Sequence, residues 1–194
     1  MKVMAPRPVI ILLENGWEFS GMGWGDFTKT CGGEFVFCTA MSGVEESLTD
    51  PSFARQVLVS TVSHVGNTGY TGEDLESEKI WAEGLVCRHL EHSPSSWRNR
   101  QNLKDWIVAD GRFVVEGIDT REFTMILRDQ GSQRGIVLPA VDSDGKAWNK
   151  DFAMARLRSE ISNMAGQDLT GQVSCKIPYE LEPQIQGRES FGYW

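Results

Sequence analysis

Residues 55–77 read RQVLVSTVSHVGNTGYTGEDLES. Val57, Leu58 and Val59 start a continuous apolar, mostly β-branched run, the pattern of a strand covered on both faces. That run leads directly into Gly66, Gly69 and Gly72, spaced three residues apart. A buried strand followed by a glycine loop raises the question of phosphate binding. A phosphate loop of the G-x-x-x-x-G-K-[ST] type uses its lysine to neutralise phosphate and its hydroxyl to hold magnesium. No lysine occurs here before Lys79, and the spacing also misses G-x-G-x-x-G. Glu73 and Asp74 follow the glycines and would repel phosphate. The stretch therefore reads as a buried strand of an α/β sheet, then a tight irregular loop that glycine permits, with something helical expected after it.

Outward from this strand, the N-terminal part is hairpin-like. VIILLENGWEF, residues 9–19, has apolar runs flanking Asn15-Gly16, a dipeptide suited to positive φ at both central positions of a type I′ turn. GEFVFCTA, residues 33–40, is a second strand candidate with Phe35, Phe37 and Thr39 on one face, and EGLVCRHL, residues 83–90, a third. Helices interrupt the strands. GIDTREFTMILRDQG, residues 117–131, offers Asp119 as N-cap with Glu122 three residues on, then Phe123, Ile126 and Leu127 on one face, then Gly131 as a stop. NKDFAMARLRSEISNMAG, residues 149–166, repeats the logic: Asn149 caps, Ala153, Leu157, Ile161 and Met164 share a face, and Gly166 ends the helix. NLKDWIVADG, residues 102–111, is a shorter helix. The alternation predicts a mixed α/β domain with one antiparallel portion.

The chain has 194 residues, 40% hydrophobic and 24% charged, with a net charge of −8. This is the composition of a globular protein with one substantial core. The negative balance argues against a nucleic-acid binder, which carries a basic patch. No run approaches the roughly 18 apolar residues of a membrane span. The start, MKVMAPRPVIILLENG, is broken by Glu14 and a turn, so it reads as a strand and not a signal peptide. Cys31, Cys38, Cys87 and Cys175 are scattered without zinc-type spacing and read as free thiols of a reducing cytoplasm.

Candidate chemistry is sparse. Cys38 lies within an apolar strand and reads as a small core residue. Cys31 precedes two glycines and could be exposed, but nothing marks it as activated. His89 and His92 could lie near each other without an acidic or thiol partner. His64, where the strand enters the glycine loop, suits a polar network or simple packing. Glu45, Glu46 and Asp50 could cluster, although a solvated helical turn capped by Asp50-Pro51 is the plainer reading. The residues alone indicate no catalytic site, no metal and no cofactor. Seven tryptophans supply amphipathic anchors for a partner-binding face. Trp81 and Trp106 read as core, while Trp17, Trp24 and Trp97 lie near the hairpin and in the SSWRN loop.

Five stretches in order carry a resemblance: GEFVFCTAMSGVEESLTDPSFARQ; HVGNTG; ESEKIWAEGLV; SSWRN; GIDTREFTMILRDQGSQRG. They resemble the N-terminal domain of the small subunit of glutamine-hydrolysing carbamoyl phosphate synthetase, in one register from about residue 9 to residue 175. The chain departs from that pattern in three places. Cys38-Thr39 stands for Asn-Thr, Gly43-Val44-Glu45-Glu46 for Gly-Tyr-Gln-Glu, and Thr71 for the asparagine after the glycine loop.

The resemblance implies a three-layer β/β/α swivelling domain over residues 1–175, with a mixed sheet and an N-terminal hairpin. Residues 176–194 would be a linker or tail toward a glutaminase domain. In such enzymes that second, C-terminal domain hydrolyses glutamine with a Cys–His–Glu triad on a G-x-C-x-G turn, which this sequence lacks. Ammonia then passes to the large subunit, which holds the ATP sites and makes carbamoyl phosphate for arginine and pyrimidine synthesis. The domain seen here would be non-catalytic, cytoplasmic, docked on the large subunit of a heterodimer, and would wall one side of the glutamine pocket. The resemblance assigns Ser52, in TDPSFARQ, to glutamine binding through its hydroxyl; the plainer alternative is a cap for the turn starting at Phe53. Two other readings stand beside this one: a free-standing scaffold or regulatory protein that kept the domain without the glutaminase, and an independent hydrolase using Cys31 or His64.

Overall fold

The computed structural model describes residues 5–141, 145, 147–175 and 177. Among the described residues lie seven strands: β1 (Arg7–Leu13), β2 (Glu18–Trp24), β3 (Cys31–Cys38), β4 (Gln56–Ser60), β5 (Gly84–Val86), β6 (Phe113–Glu116) and β7 (Gln133–Pro139). Five helices accompany them: α1 (Val44–Thr49), α2 (Leu103–Ala109), α3 (Thr120–Gln130), α4 (Lys150–Glu160) and α5 (Thr170–Val173), with a 3-10 turn at Pro51–Phe53. The expected mixed α/β sheet with an N-terminal hairpin is there. It closes on itself in the order β1-β2-β6-β5-β4-β3-β7. The pairs β3–β4, β4–β5 and β5–β6 are parallel; the other four are antiparallel.

β4 fulfils its apolar pattern. Val57 and Val59 enter the cluster that fills the barrel, with Val9, Ile11, Phe35, Val115 and Val137. Leu58 points the other way, into a second cluster with Leu85, Val114 and the α2 residues Leu103 and Ile107. A strand in the middle of a parallel run is thus apolar on both faces because both faces are covered. α3 presents Phe123, Ile126 and Leu127 to the barrel cluster, and Phe123 stacks on Phe19 and Phe35 at 4.3 and 5.5 Å. α4 packs Ala153 and Leu157 on the outer residues Leu12, Ile136 and Leu138.

Four local expectations need correction. The β1–β2 connection is not a type I′ turn. The amide of Leu13 donates to the carbonyl of Trp17, and the amide of Gly16 to the carbonyl of Leu13, so three residues, Glu14, Asn15 and Gly16, lie between the bonded Leu13 and Trp17. Gly16 alone takes positive φ, at +91°. This is a three-residue loop with its glycine in the left-handed position. β3 ends at Cys38, leaving Thr39 outside it, and Phe37 at its end is exposed. α4 stops at Glu160 and not at Gly166. Ile161 is extended, its side chain buried in the outer cluster and its carbonyl accepting from Arg134 Nη1 at 3.0 Å, so Met164 shares no helical face. The glycine loop is followed by no helix: residues 61–83 run irregularly from β4 to β5. Of the expected tail, residues 176–194, only residue 177 is described; residues 176 and 178–194 lie outside the described residues.

Candidate functional site

α1 and the turn after it form the best-organised polar region. Asp50 turns extended after α1, and its Oδ1 accepts from the amide of Ser52 at 2.8 Å. Pro51 occupies the first position of the turn, where fixed φ suits the geometry and no N–H is wanted. The cap of this turn is therefore Asp50, and Ser52 itself is exposed at the surface. A short, doubly constrained turn holds Ser52 at the protein surface.

The segment before it departs from the solvated turn expected. Glu45 is buried, with a relative exposure of 3%. Its carboxylate accepts from the amide of Thr71 at 2.7 Å, the hydroxyl of Thr71 at 3.3 Å and the amide of Gly72 at 3.1 Å. The glycine loop thus does point N–H groups at an anion, as such loops can. The anion is the chain's own side chain. Glu45, Glu46 and Asp50 do not cluster: Glu45 turns inward, Glu46 is exposed and Asp50 caps. Glu73 and Asp74 are held by Arg98, whose Nη2 lies 3.2 and 2.9 Å from them, and Glu73 also by Arg100 at 2.9 Å. Bonding to Asp74 first, then Glu73, pushes the Arg98 guanidinium further up.

Between α1 and the glycine loop lies a cleft of about 770 Å³. Cys38 and Ser60, at the C-terminal ends of the parallel strands β3 and β4, open into it with Glu45, Ser47, His64 and Arg98. The carboxyl ends of parallel strands are where α/β folds, open sheets and barrels alike, place ligands.

The thiols and imidazoles are distributed differently from expectation. Cys31 is buried, its thiol 3.6 Å from the carbonyl of Asp26, and burial pushes it up to about 12. A thiol held in its neutral form by burial is a poor nucleophile. Cys38 is half-buried, 3.9 Å from the Ser47 hydroxyl. His89 meets His64, ring centroids 4.5 Å apart, and not His92. His92 lies 3.2 Å from Glu116 and against Trp24. Among the described residues no group of three or more His, Cys, Asp or Glu could hold a metal ion, and no helix is long and apolar enough to cross a membrane. Trp24 is buried, Trp81 and Trp106 are half-buried, and Trp97 is 92% exposed.

Residues 11–137 match the family described as carbamoyl-phosphate synthase small chain, CPSase domain. The chain belongs to that family. Its curated relatives include the carbamoyl phosphate synthase small chains of Pseudomonas aeruginosa, 40% identical over 184 residues, and Stutzerimonas stutzeri, 43% identical over 186. These alignments cover 95% and 96% of the chain and 47% of each relative. That of Xanthomonas axonopodis pv. citri is 42% identical over 173 residues, covering 89% of the chain and 42% of the relative. The chain thus spans about half the length of the curated relatives it matches.

Within this small-chain domain the departures noted in the sequence converge. Cys38, Val44 and Glu45 border this cleft, and Thr71 bonds Glu45 directly. Sequence reasoning missed Glu45 because its partner lies 26 residues away. The available signal was the pair itself: two departures, one acidic and one hydroxyl-bearing, are chemically matched as acceptor and donor.

Proposed function

We propose that this chain is the non-catalytic N-terminal half of a glutamine-hydrolysing carbamoyl phosphate synthetase small subunit. It docks on the large subunit and walls the glutamine pocket of a C-terminal glutaminase domain in a cytoplasmic heterodimer. The assembly supplies carbamoyl phosphate for arginine and pyrimidine synthesis. One observation supports the reading beyond family membership: Asp50 and Pro51 constrain a turn that leaves Ser52 exposed. An amino-acid substrate has charged ends, and a hydroxyl can donate to one group while accepting from another. Trp97, fully out in solvent at 92%, supports a docking face, since an aromatic anchor of that kind is favoured at interface centres.

The test is Ser52→Ala in the small subunit joined to its glutaminase domain and assembled with the large subunit. The glutamine KM should rise about tenfold, the worth of one hydrogen bond, while ammonia-dependent synthesis stays unchanged. An unchanged glutamine KM refutes the role. The chain by itself is expected to release no ammonia from glutamine, because it lacks a G-x-C-x-G turn. Its Cys31 thiol is also buried and held neutral. Measured glutaminase activity that survives Cys31→Ala would sink this view.

A further inference from the structure

α1 is six residues long, too short to hold its own shape in water. Yet it delivers the Asp50–Ser52 turn. What fixes it is the irregular chain between β4 and β5, which binds α1 at both ends. At the first turn of α1, the Glu45 carboxylate takes the Thr71 amide, the Thr71 hydroxyl and the Gly72 amide. At the last turn, the Thr49 hydroxyl accepts from the Glu76 amide at 2.9 Å and donates to the Glu45 carbonyl at 2.7 Å. The Thr49 carbonyl accepts from the Ser77 hydroxyl at 2.5 Å. The Leu48 carbonyl accepts from the amides of Trp81 and Ala82 at 2.9 and 3.2 Å. Trp81 Nε1 in turn donates to Ser77 Oγ at 3.0 Å. Glu45, Thr49 and Thr71 are each at most 3% exposed.

We infer that residues 71–82 act as a strap on α1, and that Glu45 and Thr49 are positioning residues for the Ser52 turn. The strap caps the free carbonyls of the helix end that the turn leaves from. The Glu45 carboxylate, with no cation within ion-pair distance among the described residues, is satisfied by strap donors alone. A buried carboxylate is costly without such donors, so the loop and α1 hold one arrangement or lose both. The inference rests on the pocket role proposed for Ser52.

Two measurements test it. Amide hydrogen exchange on the chain reads the strap directly. Glu45→Gln keeps the shape and leaves one carbonyl oxygen for Thr71, but deprives the Gly72 amide of its acceptor. Glu45→Ala removes all three bonds. Exchange at Thr71 and Gly72 should quicken at least tenfold in Glu45→Ala and less in Glu45→Gln, and Thr49→Val should do the same at Glu76. In the assembled enzyme, Glu45→Ala should raise the glutamine KM several-fold with ammonia-dependent turnover unchanged. The Glu45→Ala/Ser52→Ala double variant should be no worse than Ser52→Ala, because both act through one hydroxyl. If Ser52→Ala raises the KM and Glu45→Ala and Glu45→Gln do not, the positioning role is wrong and the pocket role stands. Additive KM effects in the double variant overturn it equally. If Ser52→Ala itself leaves the KM alone, the pocket role falls and takes this inference with it. Unchanged exchange at Thr71 and Gly72 in Glu45→Ala refutes the strap irrespective of any kinetics.

Discussion

Gly69 is the glycine the loop can least do without. Its φ is +73°, and an added Cβ would lie 1.9 Å from Asn99 Oδ1 and 3.0 Å from the Gln101 carbonyl. That approach lets the amide of Tyr70 reach the carbonyl of Gln101 at 2.8 Å, tying the loop to the segment before α2. Gly111 has a similar φ of +79° with open space around it. Gly111→Ala is expected to cost about 1 kcal/mol from backbone strain alone. Gly69→Ala adds a clash and should cost about 2–3 kcal/mol. Urea unfolding of both variants checks the difference, and equal losses would show that the clash relaxes freely. At this scale little was legible in advance. Three glycines at every third position signalled an unusual backbone, but nothing in the string GNTGYTG says that Glu45 will fill the loop. Side-chain partners 26 residues apart leave no local trace. The same holds for His64, which pairs with His89 across neighbouring extended segments instead of joining a network near the loop.

α3 shows the opposite case, an element whose limits are written locally. Asp119 accepts from the amides of Arg121 and Glu122, both at 3.1 Å, and Gly131 follows the last helical residue. Removing the cap with Asp119→Ala should lower stability by about 1 kcal/mol, and Asp119→Asn by far less. Thermal or urea melts decide it, and equal effects of the two substitutions would assign the loss to charge and not to capping. α2 is read as easily, with Asn102 accepting from the Lys104 amide. Elements failed to match expectation where tertiary contacts decide. α4 would continue to Gly166 on periodicity, but burying Ile161 and giving its carbonyl to Arg134 ends it early. The hairpin dipeptide Asn15-Gly16 suits a two-residue turn, yet the pairing of Leu13 with Trp17 makes a longer one. The stretch after Gly72 forms no helix; the amides of Glu76, Trp81 and Ala82 and the hydroxyl of Ser77 bond α1 instead.

At the level of the whole molecule, alkaline pH probes the packed interior. Cys87 is fully buried beside β5, and burial pushes its thiol from the ordinary 9.0 up to about 12. Below pH 9 the thiol is neutral in folded and unfolded chains alike and contributes no slope. Above it the unfolded chain sheds the proton first, so stability falls with rising pH until the folded thiol also ionises near 12. The loss is at most about 1.4 kcal/mol per pH unit in that window. Cys87→Ala should be less stable at pH 8 but fall less steeply from pH 9 to 10.5, and parallel slopes for the two proteins would refute the assignment. The sheet class was visible in the β4 sequence and the alternation after it, whereas closure of the sheet was not, since strand order depends on pairings that no short window contains. That closure has a bearing on biosynthesis. β1 is paired on one side with β2, where Leu12 faces Glu18 and Arg7 faces Gly23, and on the other with β7, where Val9 faces Pro139. A chain emerging from the ribosome can zip the hairpin early, but β1 and β3 each keep one naked backbone edge until residue 139 has cleared the exit tunnel. Through that interval two adhesive strand margins await the same late segment. Truncations or translational stalls just before β7 are therefore expected to leave both margins open to aggregation.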